Sequence, residues 1–371
     1  MTILITLLIV FVILWLIALF VLRGEDLSRY DGPPDPAWAR SFPGHEGPSK
    51  EHWEAVAAIE KFGLQALGLS RKERLKFMRK FMDDMGLQKE YESEFRPVEA
   101  AGVPAEWVLP PGADSRRRIL YLHGGAFIAG SPVSHRNITN RFAVLAGAAV
   151  LAIDYRLMPE HRRIDGIEDC RAAYRWILEN GPDGPAPLDY LAVAGDSAGG
   201  NLTLSLIAWV RDQGLRPPDA AVALSPTVDG TFSSPSIAAN IESDIMLGPL
   251  FSFLMKIPKA IRRFMYVLEN RFNPANPVVS PVFGELSGLP PTLIQVSEAE
   301  MLLDDARRYV NKARSAGSPA SLQSWGHMLH VWQMFYPELP EARTAFEEIG
   351  RFLESADPRR GKDAPGGVST S

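Results

Sequence analysis

Short apolar runs alternate with helix-like stretches between about residues 90 and 355. Five of these runs predict strands: Arg118–Leu122, Val150–Asp154, Leu191–Ala194, Ala221–Leu224 and Thr292–Val296. Their residues do not alternate between apolar and polar, which is typical of strands buried on both faces of a parallel sheet. Stretches such as Glu168–Leu178 and Leu202–Val210 predict helices between them. This order predicts an α/β fold, with a mostly parallel sheet flanked by helices and a functional site at the carboxyl ends of its strands.

The first stretch of the chain is uniformly apolar. Ile3 to Leu22 contains one polar residue, Thr6, and no charge. As a helix it would rise roughly 1.5 Å per residue and reach about the thickness of a bilayer core. A cleavable signal peptide is the alternative, but it would carry a basic residue before its apolar part. Residues 1–23 therefore predict a single-pass transmembrane anchor, and the basic residues that follow, such as Arg23 and Arg29, favour a cytoplasmic body.

The segments around the body differ in composition. Residues 24–49 are rich in proline and glycine and predict a tether, and residues 357–371 predict a disordered tail. Residues 50–90 predict two helices, the second capped by Ser70 and basic on one face. We expect this basic face to be exposed to water, and contact with anionic lipid headgroups is the alternative. Residues 91–356 form the predicted α/β domain.

Composition narrows the possible functions. The 371 residues are 46% hydrophobic and 22% charged, which excludes a disordered chain and a polytopic membrane protein. The net charge of −5 provides no basic field, and we therefore expect no nucleic-acid partner. The single cysteine, Cys170, cannot form an internal disulfide or a thiolate metal site. Chemistry must come from Ser, His, Asp, Glu or backbone groups.

A serine between two glycines follows the predicted strand Leu191–Ala194. The segment reads Gly195-Asp196-Ser197-Ala198-Gly199 and leads into a predicted helix. This pattern places a serine on a tight strand-to-helix turn, where the glycines clear space and the hydroxyl projects into a site. Ser197 is therefore the candidate nucleophile.

Two adjacent glycines follow another predicted strand, in the segment His123-Gly124-Gly125-Ala126. Glycines let the backbone approach a ligand closely, with N–H groups directed at a carbonyl oxygen. We expect the N–H groups of Gly124, Gly125 and Ala198 to form an oxyanion hole. An ordinary Gly-Gly turn is the alternative for this segment alone.

Taken together, these segments resemble the hormone-sensitive-lipase-like branch of the α/β-hydrolases, the bacterial family IV carboxylesterases and lipases. The matching pieces are His123–Gly125, Gly130–Pro132, Asp154–His161, Gly195–Gly200, Ser225–Pro226, Ser280–Pro281, Gly288–Pro291 and the run from Leu302 to Trp332. Ala126 stands where the family often has a third glycine, and Arg163-Ile164 replaces a usual aromatic-proline pair.

The resemblance implies where the other catalytic residues lie. The family's acid follows the strand Thr292–Val296, and that position maps onto Glu300, with Asp304 as the main rival and Asp305 and Glu298 as others. The family's terminal motif maps the histidine onto His330, with His327 as the alternative.

The resemblance also implies the activity. We expect hydrolysis of small-molecule carboxylic esters, with short to medium acyl chains, through a Ser-His-Glu triad and without metal or organic cofactor. Residues 50–90 would form part of a helical cap, completed by helices within 248–268. Their apolar side chains could line an acyl site: Trp53, Phe62, Phe251, Phe253, Leu254 and Phe264. Amide deacetylation with the same triad and a non-catalytic binding role remain as alternatives.

Overall fold

The computed structural model of the chain describes residues 2–42 and 47–359, without the side chains of residues 2–4, 7, 8, 10, 11 and 14. Its strands are β1 (Ala39–Phe42), β2 (Glu94–Ala100), β3 (Val103–Leu109), β4 (Asp114–Leu122), β5 (Ala148–Ile153), β6 (Asn180–Gly181), β7 (Gly184–Pro185), β8 (Tyr190–Asp196), β9 (Ala220–Leu224), β10 (Thr292–Ser297) and β11 (Ala320–Trp325). Its α-helices are α1 (Thr2–Phe20), α2 (Lys50–Gln65), α3 (Arg71–Leu87), α4 (Arg136–Ala146), α5 (Arg163–Glu179), α6 (Ala198–Asp212), α7 (Ser236–Ala239), α8 (Gly248–Lys256), α9 (Lys259–Asn270), α10 (Leu303–Ser315) and α11 (Pro340–Ser355).

Nine strands form one sheet in the order β1-β11-β10-β9-β8-β4-β5-β3-β2. All neighbours are parallel except β3, which is antiparallel to both β2 and β5. Every residue of β5, β8, β9 and β10 is buried, as their continuous apolar runs predict. The five predicted strands are therefore confirmed, and so is the mostly parallel α/β sheet.

Helices cover both faces of the sheet. On one face, Phe142 of α4 and Phe346 of α11 join a core cluster with residues of β4 and β5. On the other face, Tyr174 of α5, Leu206 of α6 and Tyr309 of α10 belong to the larger cluster. This layered arrangement buries the strands on both sides and leaves their carboxyl ends as the place where loops meet.

The segment expected to be a tether is folded onto the domain over residues 24–42. Leu27 is buried, Asp31 pairs with Arg308, and β1 pairs in parallel with β11 at the edge of the sheet. Phe42 stacks on Trp325 with ring centroids 4.3 Å apart. The tether prediction is wrong here because these apolar and charged side chains, set among prolines and glycines, find partners on the domain. Residues 43–46 lie outside the described part of the chain.

The two helices expected in residues 50–90 are α2 and α3. The Ser70 hydroxyl accepts the Glu73 N–H and the Glu73 carboxylate accepts the Ser70 N–H, which is the capping box that begins α3. At the other end of the chain, Asp357 bonds to Arg117 of β4. The rest of the predicted tail, residues 360–371, lies outside the described residues.

The apolar start of the chain forms α1, and its last turns pack on α9. Ala18 and Leu22 contact Ala260, with Trp15 and Phe264 beside them. In the part of the chain that the structure describes, no helix has both the length and the apolar character needed to cross a membrane. The predicted anchor over residues 1–23 falls partly on residues whose side chains lie outside that part.

Candidate active site

Ser197 lies on the turn between β8 and α6. Its backbone φ is +50°, a value that residues other than glycine rarely adopt. The turn leaves no room for side chains beside it. A Cβ at Gly199 would lie 1.8 Å from the Leu122 carbonyl oxygen, and one at Gly195 would lie 2.5 Å from the same atom. The glycines of the motif therefore let β4, β8 and α6 approach closely, which holds the strained serine in place.

His330 lies in the loop after β11 and faces Ser197. Its Nε2 is 2.9 Å from Ser197 Oγ, and its Nδ1 is 2.6 Å from Glu300 Oε2. A carboxylate only accepts hydrogen bonds, which fixes the neutral ring with its proton on Nδ1 and leaves Nε2 to accept the serine hydroxyl. The structure thus brings together the three residues expected to form the triad.

Glu300 follows β10 and is fully buried. Its Oε1 accepts the Ser225 hydroxyl at 2.7 Å and the Ser297 N–H at 2.8 Å. Ser225 Oγ also accepts the Val331 N–H at 3.3 Å and so joins the loops of the acid and the histidine. From the sequence, Ser225 is only part of a motif of the family, and its contact with Glu300 could not be predicted.

The rival residues lie in other networks. Asp304 accepts the Ser236 N–H and pairs with Arg307, and Asp305 accepts two backbone N–H groups of the loop after β9. Glu298 accepts hydroxyls of Ser41 and Ser324. Among the described carboxylates, Glu300 is therefore the one bonded to His330.

Burial and charge act in opposite directions on the His330 pKa. Burial disfavours the imidazolium, but the Glu300 charge and hydrogen bond outweigh it, and the net effect raises the pKa of His330. Burial also raises the pKa of Glu300, an effect that the partner histidine only partly offsets. Glu300 thus favours the protonated form of the His330 imidazole, as a general base requires.

The structure corrects one expected oxyanion donor. The Gly124 N–H donates to Asp196 Oδ1 at 3.0 Å and lies 3.3 Å from His135 Nε2, so it does not face Ser197. Within the described residues, the N–H groups of Gly125 and Ala126 have no protein acceptor. Ala198 begins α6, so its N–H has no partner within the helix. The available donors are therefore Gly125, Ala126 and Ala198.

A buried polar cluster supports the loop that carries these donors. Asp196, next to the nucleophile, accepts the Tyr121 hydroxyl at 2.6 Å and lies 3.3 Å from His135 Nε2. Burial alone would raise the pKa of Asp196, but the His135 charge dominates and lowers it, while Asp196 in turn raises the pKa of His135. The role of His135 could not be predicted from the sequence, because its partner, Asp196, is distant along the chain. His123 lies 2.8 Å from the Gly124 carbonyl, as a brace of this loop would.

Arg163 lies beneath the same loop, where the family usually has an aromatic residue. Its guanidinium carbon is 3.2 Å from the centroid of the Phe127 ring, and one of its N–H groups donates to Asn201 Oδ1 at 2.9 Å. Arg163 is buried, with Nε unpartnered. It thus connects the oxyanion loop to α6, the helix that follows Ser197.

The helices beyond the sheet cover the site on one side. Phe251 and Met255 of α8 pack in one cluster with Met301, the residue after Glu300. Phe253 is 75% exposed, and Phe264 packs against α1. Of these three phenylalanines expected to line an acyl site, only Phe251 faces the site loops. Within residues 2–42 and 47–359, no three or more His, Cys, Asp or Glu side chains are grouped so that they could hold a metal ion.

Comparisons with known proteins identify the family of the chain. A sequence profile of the α/β-hydrolase fold matches residues 119–334. An acetyl-hydrolase of Streptomyces hygroscopicus is 40% identical over 252 residues, covering 68% of this chain and 80% of that protein. The carboxylesterase/phospholipase LipF of Mycobacterium tuberculosis is 35% identical, covering 70% of this chain and 68% of that protein.

Solved structures give the same result. A crystal structure of an esterase from the bacterial hormone-sensitive lipase family superposes with a TM-score of 0.72 at 35% identity, covering 84% of this chain and 99% of that one. A hormone-sensitive lipase from a metagenome library superposes with a TM-score of 0.70 at 31% identity, covering 83% and 99%. The chain belongs to the α/β-hydrolase family, in its hormone-sensitive-lipase-like branch, and is a carboxylic ester hydrolase.

Proposed function

We propose that the chain cleaves carboxylic esters through an acyl-enzyme on Ser197, with His330 as general base and Glu300 as its orienting acid. The observation that carries this proposal is the continuous row of hydrogen bonds, 2.9 Å from Ser197 to His330 and 2.6 Å from His330 to Glu300. Both distances suit direct proton transfer and charge-assisted hydrogen bonding.

In the first half-reaction, Ser197 Oγ attacks the ester carbonyl carbon while its proton passes to His330 Nε2. Glu300 stabilises the imidazolium that forms and keeps the ring in the orientation the attack needs. When the tetrahedral intermediate collapses, the Nε2 proton goes to the departing alcohol. Water then attacks the acyl-enzyme by the same route, releasing the acid and returning the proton to Ser197.

The negative charge of each tetrahedral intermediate falls on the former carbonyl oxygen. We assign its stabilisation to the N–H groups of Gly125, Ala126 and Ala198, each commonly worth about 3–4 kcal/mol in such a hole. Gly124 instead holds the loop to Asp196. The start of α6 adds a favourable dipole at the same place.

We propose substrates with short to medium acyl chains. The family resemblance supports this range, as does Ala126, whose methyl group occupies space that a glycine would leave open. The relative named acetyl-hydrolase is consistent with a short acyl group.

The test uses the full chain in detergent with chromogenic acetate, butyrate and decanoate esters. Ser197→Ala should lower turnover roughly a million-fold, to background, and Glu300→Gln should lower kcat about 10³- to 10⁴-fold. Asp304→Asn is the matched control and should stay within about tenfold of wild type, because Asp304 has no contact with His330. Wild-type activity on an arylacetamide and on no ester would replace the proposal with amide deacetylation; silence on both would overturn it.

We further propose that residues 3–22 anchor the chain in a membrane with the body on the cytoplasmic side. Support comes from the uncharged composition with Thr6 as its one polar residue, from the helix Thr2–Phe20 and from the basic residues that follow. Carbonate extraction of membranes at high pH should leave the full chain in the pellet, whereas release into the supernatant would contradict an anchor. Protease added to intact cells should leave the body uncut.

A further inference from the structure

The outward surface of α8 and α9 is apolar. Leu250 and Phe253 of α8 are 67% and 75% exposed, and Leu268 of α9 is 66% exposed. Ile261 and Met265 of α9 are exposed as well. We call these five residues the cap patch. Single exposed apolar side chains are ordinary, whereas contiguous groups of them are typical of surfaces that bind proteins or membranes.

Two arginines of α9 bond to neighbouring parts of the chain, whereas Lys259 and Glu269 at the ends of the helix are exposed. Arg262 is buried and contacts the Met255 sulfur, and Arg263 donates to the Ala18 carbonyl at 2.8 Å. Ile261 and Met265 take the outward positions beside them. A helix at a protein surface in water normally presents its charges outward and its apolar residues inward.

The cap patch is continuous with α1. Ala260, Phe264 and Val267 of α9 pack against the last turns of α1. Each of these three residues is followed in the sequence by a residue of the cap patch. Ile261, Met265 and Leu268 therefore lie on α9 next to the side that α1 covers. Among the described side chains of α1, eight are themselves exposed and apolar: Ile5, Ile9, Val12, Ile13, Leu16, Ile17, Leu19 and Phe20. Exposed apolar side chains therefore lie both on α1 and on α9, the cap helix that packs against it.

Basic side chains border this surface. Lys256 ends α8 and Lys259 begins α9, and both are exposed. At the far end of α9, Arg71 lies 3.7 Å from Glu269 and brings the basic start of α3 alongside, where Lys72 is also exposed. Apolar side chains bordered by lysine and arginine are typical of surfaces that lie among the headgroups of anionic lipids.

We propose that the cap patch rests on the surface of an anionic phospholipid bilayer, with its apolar side chains at the acyl-chain boundary and the bordering basic residues among the headgroups. The inner side of α8 packs on Met301, beside Glu300. The helices that cover the active site thus lie at the lipid surface, which places lipophilic esters of the bilayer next to the site. The contact is separate from the ester chemistry and can be measured without turnover.

The first test places an environment-sensitive fluorophore on the full chain in vesicles of phosphatidylcholine and phosphatidylglycerol. Phe253→Cys and Leu268→Cys carry the probe, and Gln213→Cys, exposed at the far end of α6 from Ser197, is the control. Wild-type protein treated with the same reagent serves as the blank. Its one cysteine, Cys170, is buried, and burial raises the pKa of its thiol, so we expect little labelling there. Nitroxide lipid should quench the two cap positions at least twofold and leave position 213 unchanged.

Two results would overturn the proposal. If the vesicles retain the protein while positions 253 and 268 stay unquenched, α1 alone touches lipid. If the probes shift to the blue without vesicles, and more so at higher protein concentration, a second copy of the chain covers the patch. Carbonate extraction reports on the anchor separately, so failure of the anchor and failure of the patch are distinguishable.

A second test measures function. Leu250→Ser with Leu268→Ser should lower the rate on a long-chain ester dissolved in vesicles about tenfold and leave the rate on soluble acetate ester unchanged. Equal loss on both substrates would indicate damage to the fold and would contradict a lipid-specific role. Loss on neither would show that the patch does not deliver substrate from the bilayer.

Discussion

At the scale of single residues, the site depends on which atom each group faces. Ser197 is held at φ +50° by the packing of its glycine neighbours, and His330 is turned by one carboxylate oxygen of Glu300. The other oxygen of Glu300 is occupied by Ser225 and Ser297. Because both carboxylate oxygens are held by donors, the imidazole has one favourable orientation, and its basicity is set by Glu300 rather than by solvent.

This arrangement predicts the acidic side of the pH profile. Activity needs neutral His330, and its pKa is raised above the usual 6.5 by Glu300 in spite of burial. The value of kcat/KM should therefore rise with pH through a midpoint above 6.5. In Glu300→Gln the raising charge is gone, so the midpoint of the residual activity should move to lower pH. A midpoint that stays in place would show that Glu300 does not control this titration.

At the scale of elements, the oxyanion loop, α5 and α6 are connected by Arg163. The loop is strained, with Ala126 and Phe127 at φ +53° and +64°. Stacking of Arg163 on Phe127 and its bond to Asn201 hold the loop against the helix that carries Ser197. Arg163 thereby acts as a positioning residue, since strained backbone at an active site persists only when its surroundings fix it.

Arg163→Met should lower kcat roughly 10- to 100-fold while KM changes little, because a displaced loop weakens bonds made mainly in the transition state. The free energy of unfolding should change by no more than about 1–2 kcal/mol, because the lost hydrogen bond to Asn201 is offset by removal of a buried guanidinium without a carboxylate partner. Arg162→Met is the control, because Arg162 is exposed and pairs with Asp165. Steady-state kinetics with thermal unfolding distinguish the two effects. Unchanged kcat, or loss of kcat together with folding, would refute the positioning role.

The central elements could be predicted from the sequence because their signals are local. A strand such as β8 is apolar throughout, and the turn at Ser197 carries its own glycines. β1 has no such signal: Ala39–Phe42 forms a strand because β11 offers an open edge. β2, with Glu94 and Arg96 exposed or half-exposed, lies at the opposite edge and reads as polar.

The site shows the same limit. Ser197 and His330 follow from motifs, but the direction of the Gly124 N–H depends on Asp196, 72 residues away, and could not be read from the glycine pair. The roles of His135 and Arg163 likewise arise from contacts that the fold creates. The motifs in the sequence are enough to identify the residues that react. The residues that hold them in position can be identified only from the structure.

At the scale of the whole molecule, a buried charge cluster joins the start of the chain to the domain. Arg308 of α10 lies 2.5 Å from Asp31 and 3.4 Å from Asp229. Asp305, one helical turn earlier, is buried beside Asp229. Burial and the Asp229 charge raise the pKa of Asp305 to about 7. One arginine thus faces two buried acidic side chains, Asp229 and Asp305, and the partly exposed Asp31.

This cluster predicts how stability depends on pH. Asp305 holds its proton in the folded state up to about pH 7, whereas the unfolded chain releases it near 3.8. The native state therefore binds more protons between these values, and the contribution of Asp305 to the free energy of unfolding should fall as pH rises through that range. The free energy of unfolding, measured with denaturant for wild type and for Asp305→Asn, should differ by an amount that falls between about pH 4 and pH 7. A difference that is independent of pH would contradict it.

The pairing of β1 with β11 has a practical consequence for anyone who shortens the chain. A protein that begins at residue 25 keeps the strand that closes this side of the sheet. One that begins at residue 50, where the first helix of the cap starts, removes it and leaves Leu322–Trp325 without a neighbouring strand on the side opposite β10. An open edge of this kind invites pairing with other chains, so the shorter protein should aggregate although its active site is complete.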